Sequence, residues 1–206
     1  MSAADLAARV TALRADSGPR IAVGISGPDC AGKSTLAAEL ARAIGADALV
    51  VPGDEFTRPT HERYAESDLG LGYYRDSFDY TGLHERLLPA FRNGVVGDVV
   101  LPVSDWDDDG WQERSFALAP TTVLIVEGCF LIVPPGDRAF DLTVWLDLPL
   151  DRVVERALAR PRDLELMGGE AGVRRRYAER YLPGQRLHLE RDDPARRADV
   201  VLAAGG

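Results

Sequence analysis

The stretch "VGISGPDCAGKSTLAAEL", Val23–Leu40, decides the fold. It starts as a short apolar run, turns through a glycine-containing loop and ends in an amphipathic helical pattern. Inside it, Gly27-Pro28-Asp29-Cys30-Ala31-Gly32-Lys33-Ser34 fits the phosphate-loop pattern G-x-x-x-x-G-K-[ST], and strand–loop–helix is the context that such a match requires. The glycines let successive backbone N–H groups converge on phosphate oxygens, and the next helix adds its positive end. The expected nucleotide-binding segment is therefore Gly27, Asp29, Cys30, Ala31, Gly32, Lys33, Ser34 and Thr35. Lys33 is expected to reach the β- and γ-phosphates, and the Ser34 hydroxyl to meet Mg²⁺. Cys30 reads as a small filler rather than a nucleophile.

Lys33 is the one lysine among the 24 Lys+Arg of the chain. Lysine is a slim point charge and arginine a wide planar fork, so a tight phosphate cradle accepts the first more readily than the second.

Outward from this loop, apolar runs at 20–26, 47–52, 98–103, 122–128, 142–147 and 198–203 predict strands. Most are continuous rather than alternating, as in parallel strands buried on both faces. Helical patterns at 3–15, 33–44, 81–93, 149–160 and 170–182 fall between them, which predicts a layered α/β fold. Segment 54–80, rich in Asp, Arg and Tyr, reads as a functional loop, and 104–116 as a polar excursion compatible with a hairpin. No repeat or linker divides the 206 residues, so one domain over 1–206 is expected, with a lid at roughly 151–180.

The net charge of −9 argues against a nucleic-acid partner. Two cysteines are too few for a disulfide framework, and the three histidines lie far apart, which gives a zinc site little support. No apolar run is long enough to span a membrane, and the N-terminus lacks the pattern of a signal peptide, so a cytoplasmic location is expected.

Two more strands end in acids. Glu127 closes 122–128 and is a candidate to hold Mg²⁺. Asp54 follows 47–52 and is placed to take a proton from a hydroxyl attacking a γ-phosphate, with Glu55 as its rival; it is also a candidate metal contact. "YYRDSFDY", 73–80, mixes carboxylates and rings as substrate pockets do, with Tyr74, Asp76 and Asp79 as candidates. Arg152, Arg156 and Arg160 share one helix face, and Arg162 follows; Arg156, Arg160 and Arg162 are the candidates to stabilise transferring charge.

Together these residues resemble the uridine kinase-like P-loop kinases, a branch that includes pantothenate kinase and phosphoribulokinase. The resemblance spans Ile21 to about Leu202. It is carried by "GISGPDCAGKSTLA", "DEF", "RDSFD", "VEG", "WLDLPLDRVVERALARPRD" and "RYLPGQRLHLE", and looks closest to short actinobacterial chains of that kind. It implies a three-layer α/β/α core with a five-stranded parallel sheet and a small Arg-rich lid. It implies transfer from ATP, with Mg²⁺, to a primary hydroxyl of a small-molecule acceptor; homo-oligomers are compatible with it. By position it adds Phe56, Asp105, Tyr181 and Gln185 to the acceptor candidates. Two departures stand out. The Asp-His pair that precedes "DSFD" in uridine kinases, whose Asp holds the ribose hydroxyls, falls on "GYYR" here, leaving Asp76 or Asp79 to replace it. The tyrosine of their "P-x-Y-D" stretch is a serine in "PVSDW". The expected acceptor is thus a nucleoside such as uridine or cytidine, with pantothenate, nicotinamide riboside, a sugar or an antibiotic hydroxyl as alternatives. A nucleotide sensor without transfer is the alternative from another class. A GTPase with an N-K-x-D motif is excluded, because the sole asparagine, Asn93, precedes Gly94.

Overall fold

Five of the predicted strands pair into one all-parallel sheet. In the computed structural model, which describes residues 1–204, the chain runs α1 (Ala3–Ser17), β1 (Ile21–Ser26), α2 (Lys33–Ile44), β2 (Ala48–Pro52), α3 (Thr60–Arg63), α4 (Leu69–Asp76), α5 (Leu88–Arg92), β3 (Gly97–Asp105), β4 (Gly110–Leu118), β5 (Val123–Gly128), β6 (Leu142–Asp147), α6 (Leu150–Leu158), α7 (Pro161–Met167), α8 (Glu170–Arg176), α9 (Leu182–Asp192), α10 (Pro194–Arg197) and β7 (Val200–Ala203). The sheet order is β2-β5-β1-β6-β7.

Alternate residues of these strands face opposite layers, which is why the runs are continuously apolar. Val23, Ile25, Ile125 and Val144 meet Leu6 and Val10 of α1, Leu40 of α2, Val153 of α6 and Val173 of α8. Ala22, Val51, Leu124 and Val126 meet Leu83, Leu87 and Phe91 of the helical segment around α5, and Leu101 and Phe116 of β3 and β4. The result is the expected three-layer α/β/α arrangement. Within 151–180, Val153, Ala157 and Val173 are in the core, while α7 has no buried residue.

Two expectations change and one is completed. Residues 98–103 are the predicted strand that lies outside the main sheet. They form β3, paired antiparallel with β4 from Gly97↔Leu118 to Asp105↔Gly110. Pro102 lacks an amide N–H, which suits a strand paired along one side only, and Leu101 and Val103 still bury themselves against the core. Segment 54–80 is structured rather than a plain loop, carrying α3 and α4. The helix expected to stop at 182 continues to Asp192. A widened π turn at Tyr177–Tyr181 comes directly before Pro183 and another, Leu83–Leu87, before Pro89. A wide turn changes the hydrogen-bond register where the proline amide is missing, so the helix is not broken.

The ends of β2 and β5 approach each other through glycine. A Cβ on Gly53 would lie 2.8 Å from the Glu127 carbonyl oxygen and 2.9 Å from the Gly128 Cα. Asp54 and Glu127 owe their closeness to this contact. Gly53→Ala is expected to destabilise the fold by about 1–3 kcal/mol and to lower activity beyond that loss. Urea unfolding together with turnover of the folded fraction measures both.

Candidate functional site

The site lies where the sheet order reverses direction, at the C-terminal edge, a usual ligand position in such sheets. The β1–β5 register sets Ser26 opposite Gly128, and the β2–β5 register sets Pro52 opposite Glu127. The Gly27–Gly32 loop, Asp54 and Glu127 therefore leave the sheet at one level. Gly32 has φ +93°, a left-handed conformation natural to glycine, and from it the chain enters α2 at Lys33.

The Lys33 ammonium turns back under its own loop. Nζ donates to the carbonyl oxygens of Pro28 (2.8 Å) and Gly27 (3.1 Å) and to Cys129 Sγ (3.3 Å). Burial alone would push its pKa down, but Cys129, Asp29 and Glu127 nearby outweigh that, and it lies above the ordinary lysine value. The Ser34 hydroxyl donates to Glu127 Oε1 at 2.8 Å. Burial raises the Glu127 carboxyl, while Ser34 and Lys33 pull it back.

Lys33, Ser34, Asp54 and Glu127 line one cavity of about 270 Å³. Glu55 does not; its carboxylate pairs with Arg114. Aromatic side chains form much of the remaining wall, among them Tyr64, Tyr73, Phe78, Tyr177 and Tyr181. Of the three candidate lid arginines, Arg160 lines the cavity and lies 4.0 Å from Asp163. Arg156 lies behind the loop and donates to the carbonyls of Cys30 and Ala204, both at 3.3 Å. Arg162 is exposed and outside the cavity wall.

The acceptor candidates divide sharply. Asp54 and Tyr181 line the cavity, and the other six do not. Phe56 is buried and packs edge-on against Tyr80. The Tyr74 hydroxyl donates to Asp192 at 2.7 Å. Asp76 pairs with Arg75, and Asp79 with Arg58. Asp105 accepts from the amides of Asp107 and Asp108, shaping the hairpin turn. Gln185 is buried beside a small void behind Gly27 and Pro28. The common reason is phase. "YYRDSFDY" places its acids on the outer side of the end of α4 and turns Tyr73 inward. Ser104, at the serine of "PVSDW", spends its hydroxyl on backbone, 2.6 Å from the Thr57 carbonyl.

Sequence reading missed Tyr73, Tyr177 and Arg180. Arg180 is 3% exposed, yet lines the cavity. Its guanidinium donates to the Arg63 carbonyl and Ser77 Oγ, both at 2.8 Å, and lies 4.0 Å above the Tyr64 ring. A signal existed: Tyr177, Arg180, Tyr181 and Gly184 follow the i, i+3, i+4, i+7 spacing of one helix face, so Arg180 belongs to the inward side of "RRRYAERY".

No family model matches the chain. Among curated proteins it is similar to a uridine kinase from Shewanella halifaxensis, 29% identical over 198 residues, covering 90% of this chain and 88% of the relative. Among solved structures it is similar to a protein from Bacillus stearothermophilus described as a possible uridine kinase, with TM-score 0.75, 24% identity and 97% of each chain covered. It is equally similar to a protein from Silicibacter sp. TM1040 described as a candidate fructose transport system kinase, with TM-score 0.75, 25% identity, and 98% and 99% of the chains covered. The resemblance to uridine kinase-like P-loop kinases stands, and the chain is an ATP-dependent phosphotransferase. No helix among the described residues is long and apolar enough to cross a membrane.

Arg180→Ala strands two buried acceptors and empties a cation–π contact. It is expected to cost about 2–4 kcal/mol, whereas Arg162→Ala is expected to stay within about 0.5 kcal/mol of the parent. Thermal and urea unfolding of the two variants tests the contrast.

Proposed function

We propose that the chain transfers the γ-phosphate of ATP to a primary hydroxyl of a small molecule, with a nucleoside such as uridine or cytidine as the first candidate. One observation carries this reading: a single cavity is lined at once by the phosphate-loop lysine, by the Ser34–Glu127 pair and by Asp54. Lys33 and the loop amides hold the phosphates of ATP. Ser34 and Glu127 offer one hydroxyl and one carboxylate to Mg²⁺, the sparse protein donor set that this ion takes when phosphates complete its shell. Once bound, Mg²⁺ would supply charge neutralisation at the β- and γ-phosphates. Asp54 takes the proton from the attacking hydroxyl, and Arg160, on the lid formed by 151–180, faces the transferring group. The pairing of Glu55 with Arg114, away from the cavity wall, supports Asp54 over Glu55 as the base.

The tyrosines of the wall favour an acceptor with a flat face, as a nucleoside has. The similarity to the Silicibacter protein supports a sugar as second reading, and so does Ser104, whose bond to backbone leaves no counterpart for the tyrosine of uridine kinases. The roles divide cleanly under substitution. Lys33→Ala is expected to cut turnover by orders of magnitude in a folded protein. Asp54→Asn is expected to bind ATP normally while transfer falls by about 10²–10⁴. ADP release with uridine, cytidine, fructose, pantothenate and glycerate identifies the acceptor. ATP binding without acceptor-stimulated release from any of them would exclude these acceptors, the nucleosides first.

A further inference from the structure

A carboxylate in a loop that cradles polyanionic phosphates has the wrong charge for the ligand, unless its side chain faces something else. Asp29 is such a residue. It lines the cavity with Asp54, Tyr177 and Tyr181. Its Oδ1 accepts from the Tyr73 hydroxyl at 2.8 Å and from Cys129 Sγ at 3.1 Å. Both donors are buried. The Tyr73 ring is fixed in turn, with centroids 5.1 Å from Phe130 and 4.8 Å from Tyr181, each edge-on. A carboxylate anchored through one oxygen by two buried groups is an organised acceptor of hydrogen bonds, since its fixed geometry lowers the cost of ordering a ligand.

We infer that the Asp29 side chain binds the acceptor rather than ATP: it accepts a hydrogen bond from a second hydroxyl, not the one that is phosphorylated. The backbone of the loop still serves the phosphates. Burial, and next the charge of Asp29, push the Tyr73 hydroxyl well above its ordinary value, so it remains a donor and keeps the carboxylate in place. The class of substrate follows. A neutral molecule with at least two hydroxyls satisfies Asp29, whereas an acceptor that brings its own carboxylate meets like charge there. Asp76 and Asp79 do not compete for this role, as both lie outside the cavity wall. The inference rests on the transfer reading and deepens it by choosing nucleosides and sugars over pantothenate or glycerate.

Asp29→Asn and Tyr73→Phe test this. Mg·ATP affinity, measured by equilibrium titration, is expected to stay within about threefold of wild type in both. The acceptor KM is expected to rise about tenfold or more in Asp29→Asn, the loss of a hydrogen bond to a charged group, and by less in Tyr73→Phe. Wild type is expected to discriminate against the acceptor analogue lacking the second hydroxyl, and Asp29→Asn to lose that discrimination, a change that misfolding would not produce. An ATP affinity lowered more than tenfold in Asp29→Asn would assign Asp29 to the nucleotide and overturn the inference. An unchanged acceptor KM, or turnover of pantothenate or glycerate alone, would overturn it too. If wild type binds ATP and turns over none of the five acceptors, the nucleoside reading falls first and this inference with it.

Discussion

Burying the ammonium of Lys33 removes a strongly hydrated ion from water, a cost of several kcal/mol unless the new surroundings replace its shell. Two carbonyls of its own loop and the Cys129 sulfur do so. The loop must therefore turn its Gly27 and Pro28 oxygens toward the ammonium. That geometry needs the left-handed Gly32 and the entry into α2 immediately after it. An arginine fork would need a wider floor than one turn of backbone offers. The loop sits where it does because β1 is the middle strand, flanked by β5 and β6. Cys129, which follows β5, thus belongs to the same floor.

The donor side of the site was legible because it is local. Eight consecutive residues and two strand ends hold it, and the parallel sheet brings those ends to one level without further information. The aromatic wall was legible only at Tyr181, because Tyr64, Tyr73 and Tyr177 join it from two segments far apart in the chain. Each points inward only through helix phase. In 73–80 the reading chose Tyr74, Asp76 and Asp79, whereas in the structure it is Tyr73 that reaches the loop, while Asp76 pairs with its neighbour Arg75. The strand at 98–103 was legible as a strand but not in its partner, for a related reason. An apolar run shows that a strand is buried, not which sheet buries it, and only Pro102 hinted at a strand paired on one side.

The carboxylates of the site are kept distinct by their partners. Glu127 is tied to the Ser34 hydroxyl. Asp29 is tied to a phenol and a thiol, and Asp163 stands near Arg160 on the lid. Asp54, exposed at the start of its turn, faces the same cavity. Cations are interspersed among these acids: the half-buried Lys33 beside Asp29 and Glu127, Arg160 beside Asp163, and the buried Arg180 in the same wall. Of these acids, Glu127 is the one whose carboxyl the Lys33 charge pulls back against burial.

The arginines complete the contrast. Arg156 and Arg180 spend their donors on backbone carbonyls, where several fixed N–H groups serve better than one mobile ammonium. Arg156 binds the carbonyl of Cys30, next to Asp29, so the lid helix α6 and the loop are mechanically joined. Arg180 clamps the end of α3 to the end of α4 from the π turn before α9. Between these anchors α7 has no fully buried residue and rests on the core only through the partly buried Leu164 and Met167, while α6 and α8 are anchored there through Val153 and Val173. Arg160, the residue between α6 and α7, thus reaches the cavity from the point where the more deeply anchored helix hands over to the less buried one.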